Sequence, residues 1–135
     1  MSEYHQIDVE FQDEDTLKES LEAMGYKPQV HKLPVNLEGY HGDKRKQKAH
    51  IIIPRRQVGG ASNDVGFEKT EDGKYILHLS EYDQRAKSFD LQKLKQIYGK
   101  TAIEKAIKAK PSKFFKKSEE VDALGNIRMK IRVRS

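Results

Sequence analysis

The chain has 135 residues, no cysteine and a formal net charge of +5, with 36% hydrophobic and 35% charged residues. This length fits one domain with its own core, and the lack of cysteine excludes disulfides, thiolate zinc sites and a cysteine nucleophile. Eight acids and two bases in residues 1–27 give −6, while 13 acids and 24 bases in the rest give +11, an asymmetry that suits an acidic-protein or nucleic-acid partner, or pairing between the chain's own segments.

Ile7, Val9 and Phe11 alternate with Gln6, Asp8 and Glu10, the period of a strand with one apolar face. Leu17, Leu21 and Met24 then have helical spacing; Asp13 or Asp15 can cap the helix and Gly25 can end it. Short strands are expected at 29–33, 35–40 and 49–53, punctuated by Pro34 and Pro54. Residues 42–48 read as a basic connection and 57–63 as a flexible loop. The strands at 65–69 and 74–80 flank Thr70-Glu71-Asp72-Gly73, a hairpin signal.

Residues 83–90 read as a polar connection. Leu91, Leu94, Ile97 and Tyr98 predict a helix ending at Gly99, and Thr101-Ala102-Ile103-Glu104 is a capping-box pattern for a second segment. These are two short helices or one kinked helix. A hairpin follows, with strands at 114–121 and 126–134; in the last, Ile127, Met129, Ile131 and Val133 alternate with Arg128, Lys130, Arg132 and Arg134. The acidic first strand and basic last strand are expected to be neighbours, with burial driving the pairing and charge selecting it. The fold class predicted is α+β: a single domain over 1–135 with a largely antiparallel β-sheet and two or three helices packed on it.

Met1-Ser2-Glu3-Tyr4 has neither the basic region nor the apolar stretch of a secretory signal. The longest apolar run, Ile51-Ile52-Ile53, falls far short of the roughly 20 residues that span a bilayer. A cytoplasmic protein without membrane contact is expected.

No catalytic residue, metal ligand set or cofactor site stands out. His31, His41 and His50 are candidates to converge across strands, against the blander reading of separate sheet histidines. The acids at Glu71-Asp72 and Glu119-Glu120-Val121-Asp122 sit beside turns, where carboxylates commonly bond the backbone. Gly59-Gly60-Ala61-Ser62 and Gly99-Lys100-Thr101 lack the spacing of a phosphate loop, and no serine has a GxSxG context. Two basic stretches are the candidate binding patches: Lys44, Arg45, Lys46, Lys48, Arg55 and Arg56, and a second that includes Lys93, Lys100, Lys108 and Lys110. Clustered bases neutralise phosphates in a salt-dependent way. A helix-turn-helix around Gly99 is a poor match, because Lys100 and Lys105 fall where small or apolar residues belong.

Several segments together resemble the small conserved reading-frame (Ycf-type) proteins of algal plastids and cyanobacteria, a domain-of-unknown-function family also found in other bacteria and phages. They are the opening Met1-Ser2-Glu3-Tyr4, the Leu17/Leu21/Gly25 helix, Gly39-Tyr40-His41-Gly42 and Ala49-His50-Ile51-Ile52-Ile53. Asp64-Val65-Gly66-Phe67, Asp72-Gly73-Lys74-Tyr75, the helix from Leu94 to Tyr98 and Gly125-Asn126-Ile127 complete the set. The chain departs from the family in lacking a tryptophan after the Tyr75 strand and in its extra loop at 57–63. The resemblance brings no established activity and no catalytic residues to transfer; it implies an accessory or adaptor role beside an AAA-type ATPase. The function expected is thus a small non-enzymatic interaction or adaptor protein that binds a protein partner through a sheet edge or basic surface. Nucleic-acid binding by the two patches is the alternative, and a homo-oligomer is compatible with an unpaired edge.

Overall fold

Residues 3–109, 114–121 and 127–133 are described by the computed structural model, with side chains over 3–109. The fold is α+β, and the chain divides into two compact units, Met1–Phe89 and Asp90–Ser135. Among the described residues no helix is long and apolar enough to cross a membrane.

The first unit runs β1 (Tyr4–Asp8), α1 (Glu14–Ala23), β2 (Gln29–Glu38), β3 (Lys44–Ile53), α2 (Arg55–Val58), β4 (Val65–Lys69), β5 (Tyr75–Ser80) and α3 (Glu81–Ala86). Its strands form one antiparallel sheet in the order β1-β5-β4-β3-β2. Residues in register share a face. The row Ile51–Phe67–Leu77–Ile7 carries the large apolar groups, and Phe67 meets the rings of Phe11 and Phe89 at 6.5 and 6.2 Å. The next row, Ile52–Gly66–His78–Gln6, belongs to the opposite face.

Helix α1 forms as its sequence dictates. The Asp13 side chain accepts the Thr16 N–H at 2.9 Å, Leu17 and Leu21 are fully buried, and Gly25 ends the helix at φ +98°. The 70–73 hairpin is present, with Gly73 at φ +85°.

Strand β1 is shorter than its alternation suggests. Glu10 takes a left-handed φ of +58°, yet the Phe11 carbonyl beyond it still accepts the Tyr75 N–H at 2.8 Å. The chain is bulged there, so Val9 and Phe11 remain buried outside the strand.

Residues 29–38 and 44–53 form one long hairpin rather than three short strands, and the basic segment 44–48 lies within β3. Proline does not split β2. Its register shifts between Val30 and Val35, so Pro34 sits where no ladder donor is required. The hairpin folds over the second face of the sheet: a Cβ at Gly66 would lie 2.7 Å from both Ala49 Cβ and Leu37 Cδ2. Leu37, Ala49 and Ile52 form a second core cluster, against which Tyr4 of β1 packs. Strands β1 and β2 are the two edges, so the sheet is rolled until a side chain from one edge meets the hairpin of the other.

In the second unit, α4 (Leu91–Ala109) lies against the hairpin of β6 (Phe114–Val121) and β7 (Ile127–Val133). Helix α4 runs without a break through Gly99, which removes the helix-turn-helix reading. Asp90 caps it, its carboxylate accepting the Lys93 N–H at 3.0 Å.

The expected pairing of the first and last strands is overturned. Strand β1 pairs with β5, from Tyr4↔Ser80 to Asp8↔Ile76, whereas β7 pairs with β6 in another sheet. The reason is local: β6 is the strand nearest to β7 in sequence, and a short connection costs little closure entropy. Charge complementarity, a fraction of a kcal/mol to ~1 kcal/mol per pair, does not select partners against that. The residues 122–126 between them lie outside the described residues, as does the loop acid Asp122.

Candidate binding cleft

Three connections meet at one end of the rolled sheet: the turn after β2, the loop entering β4 and the start of α3. The turn is built on glycine. Gly42 has φ +79° and donates its N–H to the Gly39 carbonyl at 2.9 Å, and a Cβ at Gly39 would lie 2.5 Å from Asp43 Oδ1. Tyr40 and His41 project from this turn with ring centroids 4.7 Å apart.

The loop entering β4 is fixed by polar side chains rather than left free. The Asp64 carboxylate accepts the N–H groups of Glu38 and Arg55, each at 2.8 Å, and the Asp64 N–H returns to the Glu38 carbonyl at 3.0 Å. Asn63 Oδ1 accepts the Tyr40 N–H at 2.9 Å, and Asn63 Nδ2 donates to Ser80 Oγ at 3.0 Å. Ser80 caps α3, accepting the Asp83 N–H at 3.1 Å and donating its hydroxyl to Asp83 Oδ2 at 2.7 Å. The same Oδ2 accepts the Asn63 N–H at 3.0 Å.

These supports shape a cleft of about 280 Å³ lined by Tyr40, His41, Asp43, Arg45, Ala61, Asn63 and Tyr82. Tyr40 and Tyr82 remain 46% and 40% exposed at its mouth. The Arg45 guanidinium lies 5.2 Å from the Tyr4 ring centroid and 3.9 Å from Asp43 Oδ2. Asp83 is fully buried, and its Oδ1 has no hydrogen-bond partner among the described residues. Burial first, and the Asp64 carboxylate second, push the Tyr4 hydroxyl far above the ordinary phenol range. Burial also raises the Asp64 carboxyl, against the two N–H groups that favour its ionised form. A small cavity with aromatic walls and a few convergent polar groups is the usual form of a recognition site.

The basic residues are dispersed. Lys44, Lys46 and Lys48 are exposed at alternate positions of β3. Arg45 between them turns inward to Tyr4, and Arg55 pairs with Glu38 at 3.5 Å, so neither belongs to an open cationic surface. Arg56 is exposed on α2. Lys93 and Lys108 are exposed on α4, Lys100 is half-buried there, and Lys110 lies outside the described residues. The histidines do not gather. His41 is in the turn, His50 Nδ1 accepts the Lys69 N–H at 3.0 Å, and among the described residues no three metal-binding side chains cluster. His78, on the second sheet face, is buried with Nε2 2.8 Å from Glu68 Oε1.

The sequence pattern placed Tyr40 at the end of a strand over 35–40 and His41 among the histidines that could converge, and it did not single out Asn63, Tyr82 or Asp83. One signal was there: Ser80-Glu81-Tyr82-Asp83 has the spacing of a capping box, which places Tyr82 at the head of a helix. No family model, curated protein or solved structure matches this chain.

Proposed function

We propose that the first unit is a non-enzymatic protein-interaction module, an adaptor whose partner docks along edge strand β2 and into the cleft at its end. One observation carries the reading. The large apolar side chains exposed among the described residues are Val30, Leu33, Val35, Tyr40 and Tyr82. Three belong to edge strand β2, Tyr40 follows it in the turn, and Tyr82 shares the cleft with Tyr40. Leu33 is 79% exposed. An apolar edge strand offers unpaired backbone groups and apolar contact to an incoming segment. The resemblance noted in the sequence makes an AAA-type ATPase the first partner to try.

The test is co-purification from native extract at moderate salt with the tagged full chain. The partner is retained by wild type and by the Lys44→Glu/Lys46→Glu/Lys48→Glu variant, and is lost with Leu33→Asp, whose side chain is solvent-exposed in the free protein. A partner kept by Leu33→Asp overturns the reading.

A second reading, nucleic-acid binding, has the exposed Lys44, Lys46 and Lys48 series in its favour. It requires affinity for single- or double-stranded nucleic acid that falls steeply between two salt concentrations and is lost in the triple lysine variant.

A further inference from the structure

The sheet has a second place where a strand could be added, away from β2. Strand β1 ends the sheet, so its edge away from β5 carries no ladder. Strand β3 pairs with β4 only from Ile51 to Ile53, which leaves the β4 side of residues 44–48 without one. The roll of the sheet brings these two edges to one groove. Glu3 and Tyr4 share a cavity of about 530 Å³ with residues 43–47, and Gln6 shares an adjoining one of about 280 Å³ with Lys46, Gln47, Lys48, Glu68 and His78. Both strands therefore advance in the same direction along the groove. Lys44, Lys46 and Lys48 are exposed at alternate positions, and none forms an ion pair among the described residues. Other charges of the lining are engaged: Asp43 pairs with Arg45 at 3.9 Å, and Glu68 meets His78 Nε2 at 2.8 Å. That leaves three lysines and Glu3.

We infer that this groove accepts an extended segment of another protein, inserted as a strand between β1 and β3 and carrying carboxylates at alternate positions. The inference goes beyond docking on β2 and does not depend on it. Free strand edges offer N–H and C=O groups to an incoming strand. Two neighbours that run the same way receive it antiparallel to both, in the stronger of the two ladders. Strand β1 has five residues, so a segment of about five to seven residues spans the groove. Alternate lysines on a strand stand about 6.5–7 Å apart, the interval at which an extended segment repeats its own side chains, so three acids at alternate positions meet all three. Nucleic-acid phosphates fit the groove less well. They leave the backbone edges unsatisfied and lie against the carboxylates of Glu3 and Glu68, and the Tyr4 ring, which could otherwise stack on a base, is covered by Arg45.

The experiment uses the isotope-labelled full chain and four probes, with backbone amide shifts and amide exchange followed by NMR. The first probe is the capped peptide acetyl-Thr-Glu-Val-Glu-Val-Glu-Thr-amide. The second has glutamine for each glutamate, the third is the acidic peptide with alternate backbone amides N-methylated, and the fourth is a seven-nucleotide oligothymidine. The acidic peptide produces saturable shifts and slowed exchange over residues 4–8 and 44–48. The glutamine peptide binds about three- to a hundredfold more weakly, the sum of three cross-strand charge pairs, and Lys44→Gln/Lys46→Gln/Lys48→Gln weakens the acidic peptide by a similar factor. The N-methylated peptide does not bind, because it cannot complete a ladder. Equal binding of the acidic and glutamine peptides overturns the inference, as does binding of the N-methylated peptide. No saturable shift from the acidic peptide also overturns it; the lysines then serve only to keep an edge strand from aggregating. Oligothymidine that saturates the same amides more tightly than the peptide overturns it in favour of nucleic acid. Leu33→Asp, on β2, binds the acidic peptide as wild type does, so failure here leaves docking on β2 standing and failure there leaves this groove standing.

Discussion

The Tyr4 hydroxyl donates a 2.7 Å hydrogen bond to the backbone carbonyl of Asp64. It thereby ties edge strand β1 to the loop that enters β4, and the same ring packs on Leu37, Ala49 and Ile52 of the opposite hairpin. Tyr4→Phe keeps the ring and deletes the bond. A loss of about 1 kcal/mol is expected by denaturant unfolding, with a second readout in alkaline titration: the phenol that burial raises above the ordinary range is absent from the variant.

Gly66 is where the hairpin closes on the sheet. A methyl group at this position meets Ala49 and Leu37 at 2.7 Å in a filled core. Gly66→Ala is expected to cost about 1–3 kcal/mol by overpacking. Gly99→Ala is the opposite case. It lies within α4 with nothing within 4 Å of the added Cβ, and helicity is expected to rise with a gain of about 0.5–1 kcal/mol. Equal midpoint shifts for the two variants would contradict the packing described.

Asp64 and Asp72 are expected to titrate on opposite sides of the ordinary value. Burial raises the Asp64 carboxyl above 3.8. Its folded value exceeds its unfolded one, so its contribution to stability is full below pH 3.8 and is lost as pH rises through the raised folded value. Asp72 is lowered, first by the Thr70 hydroxyl and then by the Lys74 N–H. Its contribution is present above pH 3.8 and is lost as pH falls through the lowered value. Carbon-13 NMR titration of the two carboxyls reads the signs directly; an Asp64 midpoint at or below the ordinary value would contradict the burial described. Asp64→Asn sets an amide NH₂ against one of the two N–H donors from Glu38 and Arg55 and is expected to cost about 1–3 kcal/mol.

The His78 ring tests the second sheet face. Nε2 meets the Glu68 carboxylate at 2.8 Å, while Nδ1 is buried without a partner. A buried unpaired acceptor costs less than an unpaired N–H facing nothing, so the neutral ring carries its hydrogen on Nε2. Nitrogen-15 chemical shifts of the ring at alkaline pH are expected to report that tautomer, and Glu68→Ala to remove the preference.

Much of the fold was legible because local chemistry decided it. Asp13 and Gly25 bound α1, and Gly73 turns β4 into β5, since capping and positive φ are short-range requirements. The pairing of β1 was not legible. Its alternation continues to Phe11, but the bulge at Glu10 and the choice of β5 depend on distant strands. Pro34 read as a strand break because the register shift that accommodates it on an edge strand leaves no mark in composition. The cleft was hidden for a related reason. Its walls come from residues 40–45, 61–63 and 82, which only the rolled sheet assembles. The basic run at 44–48 read as a single patch, yet strand periodicity turns Arg45 inward beneath the lysines.

The central claim is that a protein partner covers β2 and the cleft at its end. Amide hydrogen exchange of the full chain, measured alone and with its co-purified partner, tests it most directly. Slowed exchange is predicted at residues 30–35, 40–41 and 82, with Lys44, Lys46 and Lys48 unchanged. Protection confined to those lysines or to α4, with β2 exchanging as in the free protein, would contradict the account.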